Sequence, residues 1–272
     1  QYVKTKEEYK DCILFYRLGD FYEMFFEDAK IVSKELELTL TGKNCGLEER
    51  APMCGVPFHA VEGYLSKLVS KGYKVAICEQ MEDPSTAKGL VKREVIRVVT
   101  PGTNLSAQAL DESRNNYIMS IVYISDRFGI SFADVTTGDY FVTETDSVRG
   151  LLDEIYKFSP REVVCNEALL MSGVDTEELK ERLHVVLYAL ENWYFDEELC
   201  KKELCSHFQV ASLKGLGVSD YACGVLAAGA LLRYLTETQK TSLGHLTKLQ
   251  PYTSGNFMMI DSSSRRNLEL VE

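Results

Sequence analysis

The 272 residues are 45% hydrophobic and 26% charged, with a formal net charge of −11. That supplies ordinary cores for two domains at about 100–200 residues each, with too little Gly and Pro for a disordered or fibrous chain. The longest apolar stretch, Tyr221 to Leu232, is shorter than the ~20 residues of a membrane span, and no charged-then-apolar leader opens the chain, so neither a bilayer crossing nor export is expected.

In chain order, residues 1–11 read as a helix end leading into an apolar strand, Ile13 to Leu18, which stops at the turn signal Gly19-Asp20. Phe21 and Glu23 follow at once. Glu23 to Leu36 has helical spacing, with Phe26, Ala29, Ile31 and Val32 on one side and Glu27, Asp28, Lys30 and Lys34 on the other. Thr41 to Arg50 is polar and reads as a loop, and Gly55-Val56-Pro57 as a break. A helix is expected over Ala60 to Ser70, a short buried strand over Val75 to Cys78, and a turn at Asp83-Pro84 before a strand over 93–99 and a stop at Pro101-Gly102. Residues 1–102 thus read as one mixed α/β domain, and the polar stretch 103–116 as an exposed linker.

The second domain, 117–250, opens with three strand-like runs, Tyr117–Ile124, Phe128–Val135 and Tyr140–Thr143, joined by turns at Asp126-Arg127 and Thr137-Gly138-Asp139. Helix 146–157, strand 161–165, helix 175–183, strand 184–189 and a helix near 196–206 then alternate as βα units. Helix 219–239 is apolar on most faces and is expected between layers. Three antiparallel strands followed by βα units is the strand order of a ribonuclease-H-like domain. A further strand, Phe257 to Asp261, and a helix capped within Ser262–Ser264 are expected to begin another unit, 251–272. The chain starts at Gln1 rather than Met and stops inside that helix, which reads as a fragment.

The charge divides unevenly. Residues 1–105 hold 15 Lys+Arg against 16 Asp+Glu, and residues 106–272 hold 15 against 25. Only the first part approaches phosphates without a large opposing field. Lys88, Lys92, Arg93 and Arg97 crowd within ten residues there. On a strand Lys92 and Arg93 face opposite ways, so a solvated face and a set of phosphate contacts both fit. His59, after Val56-Pro57-Phe58, is either a structural histidine or a loop residue near DNA.

Phe21 and Glu23 carry the sharpest chemistry. Residues i and i+2 of an extended chain share a face, so a phenyl ring and one carboxylate point together. An apolar ring can wedge between base steps and kink a duplex. A carboxylate accepts from a base edge but repels phosphate, which suits a displaced base better than a backbone. On pattern alone the ordinary place for such an aromatic is the core.

Catalytic patterns are sparse. The eight cysteines form no C-x-x-C pair, so no zinc site is expected and free buried thiols fit better. The four histidines are far apart. Strand 117–124 carries no acid, while Asp126 and Asp139 sit in turns and Asp134 at a strand end, which argues against a two-metal nuclease. No phosphate-binding loop exists; Thr41-Gly42-Lys43-Asn44 lacks the first glycine and the hydroxyl.

The run Phe15-Tyr16-Arg17-Leu18-Gly19-Asp20-Phe21-Tyr22-Glu23 resembles the signature of the MutS family of DNA mismatch-recognition proteins, with Phe21 and Glu23 as its Phe-x-Glu motif. Ala51 to Ala60, Val75 to Gln80, Val98 to Thr103, Asp134 to Gly138 and Asp261 to Glu269 resemble further stretches of that family in the same order. The resemblance covers essentially the whole chain. It implies a mismatch-binding domain, a non-catalytic ribonuclease-H-like connector domain and the start of a helical core, or lever, domain. It also implies mispaired or unpaired duplex DNA as the target. Phe21 would stack on the displaced base and Glu23 would hydrogen-bond to it, with Lys88, Arg93, Arg97 and His59 as candidate backbone contacts. The fragment itself would be no enzyme and hold no cofactor. The parent would use ATP and Mg, form a homodimer, recruit a MutL-type protein, and work in the bacterial cytoplasm on the nucleoid. The competing expectation is an acidic coupling module that does not itself read mismatches.

Overall fold

The computed structural model describes residues 1–46, 49–82, 89–104 and 116–253. Within them lie two six-stranded sheets with separate cores. The first is built from β1 (Cys12–Leu18), β2 (Phe21–Phe25), β3 (Thr41–Lys43), β4 (Ala51–Pro57), β5 (Lys74–Gln80) and β6 (Arg93–Val99), in the order β3-β4-β2-β1-β5-β6. Its helices are α1 (Tyr2–Glu8), α2 (Phe26–Glu35) and α3 (Val61–Ser70).

β1 is apolar on both faces because both are covered. Ile13 and Phe15 join Met24, Val32, Leu65 and Leu68 beneath α2 and α3. Leu14 and Tyr16 join Ala76 and Cys78 on the other face, against Tyr2 and Tyr9. The hairpin from β1 to β2 needs two residues, since Leu18 lies opposite Phe21. Gly19 takes the positive φ, +62°, that such a tight turn demands.

Three local expectations change. Residues 23–25 are strand rather than the first turn of a helix, because β2 is paired on both sides, by β1 and β4, and this sheet pairing outweighs the local helical spacing. Thr41–Lys43 is a three-residue edge strand on β4, polar because an edge faces water. Gly55, Val56 and Pro57 do not break structure but complete β4.

The second sheet contains β7 (Tyr117–Ile124), β8 (Arg127–Asp134), β9 (Asp139–Thr145), β10 (Glu162–Cys165), β11 (Val186–Ala189) and β12 (Gln250–Pro251), ordered β11-β10-β7-β8-β9-β12. β7 to β9 form an antiparallel meander, and β10 and β11 add parallel to β7. This is the ribonuclease-H-like order. The β7–β8 turn is Ser125-Asp126, both at positive φ, one residue earlier than the sequence suggests. The helices are α4 (Val148–Phe158), α5 (Thr176–Leu183), α6 (Glu197–Phe208) and α7 (Ala222–Gln239).

α7 lies between layers as its all-round apolarity implies. It packs on β7, β8 and β9, and its flank also meets β6 of the first sheet. A Cβ at Gly129 of β8 would stand 2.1 Å from the Cys223 carbonyl oxygen, so only glycine lets the helix approach this closely.

The two sheets meet along a polar seam. The Gly102 N–H donates to Glu162 at 3.0 Å, and the Tyr234 hydroxyl donates to the same fully buried carboxylate. The Asn116 amide donates to the Gly102 carbonyl at 2.8 Å, and the Tyr188 hydroxyl to the Gly72 carbonyl at 2.8 Å. The Lys74 ammonium sits 4.2 Å from the Tyr188 ring centre. Thr103, Asn104 and Asn116, the described ends of stretch 103–116, are buried rather than exposed. Burial follows from their bonding, since Thr103 also closes a turn onto the Thr100 N–H at 2.9 Å. The strand and capped helix expected after residue 253 lie outside the described residues.

Candidate nucleic-acid interface

The pairing that builds the first sheet brings the C-terminal ends of β1, β4 and β5 to the same edge as the N-terminal ends of β2 and β6. Leu18 faces Phe21, Phe21 faces Pro57, and Gln80 faces Arg93. Phe21 is the one residue of β2 that this end leaves exposed. It is 46% exposed, while Tyr22, Met24 and Phe25 of the same strand are buried. The aromatic is therefore not core, although it sits among residues that are.

Glu23 shares the face of Phe21, as an extended chain requires. Its carboxylate accepts from the Lys43 ammonium at 2.5 Å, with the Glu23 side chain 16% exposed and that of Lys43 42%. Directly opposite Glu23 stands Gly55. A Cβ there would lie 3.3 Å from the Tyr22 carbonyl oxygen, 3.6 Å from Glu23 Cγ and 3.8 Å from Phe21 Cδ1. The floor beside the Phe21–Glu23 pair is thus bare backbone, a place where another group can come close.

On the other face of the same end, Arg17 lies over the half-exposed Phe58 ring, 3.9 Å from its centre, and pairs with Glu79 at 3.6 Å. Tyr22 donates its hydroxyl to Glu79. Desolvation, reinforced by the Glu79 bond and charge, pushes the Tyr22 phenol up to about 12, so it remains a donor. The Phe58 N–H donates to the Asp20 carbonyl at 2.9 Å, which ties the short turn Phe58–Ala60 to the Gly19-Asp20 turn.

The basic candidates separate. His59 is exposed at this end, edge-on to Phe58. Arg93 reaches the right edge but is committed: its Nε donates to the Arg17 carbonyl at 2.8 Å and its guanidinium covers Tyr16. Arg97 is not brought to the end. It faces Ile77 and reaches Glu62 of α3 at 3.2 Å. Four residues apart, Arg93 and Arg97 would share a face of a regular strand. A bulge intervenes, because Ile77 faces Arg97 while Cys78 faces Val95, leaving Ile96 as the extra residue. Lys88 lies outside the described residues.

No comparable cluster occupies the second sheet. Asp134, the acid at the end of β8, is buried and accepts from the Asn116 and Thr136 N–H groups, both at 2.8 Å. That is turn capping. Among the described residues no group of three or more His, Cys, Asp or Glu is placed to hold a metal ion, and no helix is long and apolar enough to cross a membrane. The eight cysteines are all free; Cys12, Cys54, Cys78, Cys165 and Cys200 are buried, but Cys45 is exposed.

Residues 1–108 match the family model of MutS domain I, and residues 116–247 that of MutS domain II. The chain belongs to the MutS family. It is 65% identical to the DNA mismatch repair protein MutS of Lachnoclostridium phytofermentans over 272 residues, which is all of this chain and 29% of that protein. The MutS proteins of Ruminiclostridium cellulolyticum and Acetivibrio thermocellus are 51% and 50% identical, each matching the whole chain across 31% of its own length. The chain thus spans about 30% of the length of these curated MutS relatives. The exposed Phe21–Glu23 end belongs to the part matching MutS domain I, and the ribonuclease-H-like sheet to the part matching MutS domain II.

Three features of the site escape sequence reasoning. None of them has a site role in the sequence alone: Lys43 stands in a failed phosphate loop, Gly55 in an expected break, and Arg17 within the family-like run Phe15 to Glu23. Neighbours across β2, β3 and β4 define Lys43 and Gly55, and those across β1, β2 and β5 define Arg17; no local spacing encodes that.

Proposed function

We propose that this segment recognises mispaired and unpaired bases in duplex DNA to initiate mismatch repair, with Phe21 as the wedge and Glu23 as the group that bonds the displaced base. The observation that carries the reading is a phenyl ring left in solvent at a sheet end, beside a carboxylate and a bare glycine backbone. A mispaired site unstacks and bends at lower cost than a matched one, and this deformation energy is what a wedge reads. Every base offers a π-face, so stacking on Phe21 tolerates sequence. Glu23 accepts from, or shares a proton with, a ring nitrogen of the displaced base. His59 is the backbone contact among the basic candidates that this geometry favours.

Residues 1–102 act as the DNA-reading domain and 117–250 as a connector that couples it to the rest of a longer protein. ATP, Mg, dimerisation and recruitment of a MutL-type partner belong to that longer protein, a bacterial cytoplasmic assembly working on the nucleoid. This segment supplies recognition and no catalysis.

The test is Phe21→Ala in the full-length protein. Its melting should move by no more than about 0.5 kcal/mol, as for a surface site. Its affinity for DNA with one unpaired T should fall by about 1–3 kcal/mol, the worth of one stacked base, while homoduplex binding stays. Glu23→Gln should tighten homoduplex binding and narrow the discrimination. A Phe21→Ala protein that still prefers the unpaired T would favour the competing reading, an acidic coupling module.

A further inference from the structure

Lys43 has no role in the reading above, yet it is the hydrogen-bonding partner described for the Glu23 carboxylate. It reaches Glu23 from two strands away. β3 pairs with β4 through Lys43 opposite Ala51, and β4 pairs with β2 through Gly55 opposite Glu23. Ala51 and Gly55 carry little or no side chain, so nothing bulky at those positions stands between ammonium and carboxylate. The Lys43 ammonium also lies 5.7 Å from the Phe25 ring centre, which helps to fix it over this face.

The pair is asymmetric. Glu23 is largely enclosed, whereas Lys43 is well exposed on the shortest strand of the sheet. An enclosed carboxylate needs a counter-charge, and an exposed ammonium can be returned to water. Such a pair closes readily and also opens readily, because its ammonium partner is well exposed and regains water when it leaves.

We infer that Lys43 is a positioning residue that sets specificity: it holds Glu23 neutralised in the DNA-free and homoduplex-bound protein, and yields it only to a displaced base that offers a hydrogen bond. The inference rests on the reading of Phe21 and Glu23 given above. On matched DNA no base edge competes for Glu23, so the closed pair spares the phosphates a bare carboxylate. On a mismatch, Glu23 exchanges one partner for another, so a pair that stays closed only on matched DNA moderates the discrimination. Lys43 acts through Glu23 in this scheme and not as a phosphate contact of its own.

A double-mutant cycle tests this. Wild type, Lys43→Met, Glu23→Gln and the double variant, each in the full-length protein, are titrated with homoduplex and with single-unpaired-T DNA at several salt concentrations. Lys43→Met should weaken homoduplex binding and leave unpaired-T binding unweakened, so that the affinity ratio widens by about two- to fivefold. In the Glu23→Gln background the same change should leave the ratio unmoved. Lys43→Arg should restore the wild-type ratio, which a merely structural loss would not explain. A Lys43→Met protein that weakens both DNAs equally, with the salt slope lowered by about one in both backgrounds, would make Lys43 an independent phosphate contact and overturn the inference. If Glu23→Gln alone leaves the ratio at the wild-type value, it is the base-reading role of Glu23 that fails, and this inference falls with it.

Discussion

At the end of the first sheet the largely enclosed Glu23 faces one flexible ammonium that is itself open to water. At the seam between the sheets Glu162 is sealed from water and held by neutral donors, the Gly102 N–H and the Tyr234 hydroxyl among them. A carboxylate with an exchangeable partner can be recruited by something new. A carboxylate whose partners are buried and fixed holds architecture, and any change there leaves polar groups stranded. The two glycines nearby follow the same division. Gly55 leaves room beside Glu23, while Gly102 is glycine because the Ile118 side chain fills the space a Cβ would take, at 2.2 Å.

Truncation should separate the two carboxylates most widely. Glu162→Ala strands the Gly102 N–H and the Tyr234 hydroxyl, at about 1–3 kcal/mol for each unsatisfied buried group. Its denaturant midpoint should therefore fall strongly. Glu23→Ala, by contrast, breaks one pair whose other partner is well exposed and should cost only about 0.2–1 kcal/mol. Equal losses at the two sites would show that both carboxylates are structural. Next in size, Gly102→Ala should cost about 1–3 kcal/mol by overpacking against Ile118. Gly55→Ala should cost less than Gly102→Ala, since the Tyr22 carbonyl oxygen at 3.3 Å need shift only slightly, but it should bind unpaired-T DNA less tightly because the methyl group fills the floor beside Phe21.

A smaller effect is expected from pH. Desolvation raises the Glu162 carboxyl above the ordinary 4.5, against the bonds from Tyr234, Thr100 and Gly102 and the Lys74 charge. The folded state therefore holds this proton more tightly than the unfolded chain does. The charged form then costs stability, from about 4.5 upward until the folded-state value is passed, and acidification relieves that cost. Glu162→Gln keeps the bonding, since the amide can turn its carbonyl to Gly102 and its NH2 to the Tyr234 oxygen, but it does not titrate. Relative to this variant, the wild type should lose melting temperature as pH climbs from about 4.5; a difference that stays flat from pH 4 to 8 would contradict the assignment. The smallest change belongs to Arg97→Ala. It breaks a part-exposed pair with Glu62, worth about 0.2–1 kcal/mol, and should leave the salt slope of DNA binding where it was. A slope reduced by about one would return Arg97 to the interface.

What was legible in the sequence divides along similar lines. Long apolar or strongly periodic runs, such as β1, α3, β7 to β9 and α7, announce themselves because burial on one or both faces dictates their composition. So does the order of the second sheet, since meander turns and βα alternation are local. Residues 23–25 were misread because their pairing partners lie in β1 and β4, and pairing overrode a helical spacing that is real from Phe26 onward. β3 was invisible because three polar residues at an edge carry no pattern. The Phe21–Glu23 pair was legible through i, i+2 geometry. Its partner Lys43 was not, because twenty residues and two strand pairings separate it from Glu23. Arg93 and Arg97 were grouped by proximity in sequence, and a single extra residue, Ile96, divides them.

The sheet edges bear on how this segment associates. An open edge offers unpaired N–H and C=O groups to any passing extended chain, which is the usual route to fibrils and strand-swapped aggregates. Here each outer strand is blunted in its own way. β3 has three residues, β11 has four, and β12 has two, one of them Pro251, which has no N–H to donate. β6 is longer but is bulged at Ile96 and flanked by α7. Among the described residues, recruitment by main-chain ladder is thereby discouraged at all four margins, and contacts with other molecules are left to side chains.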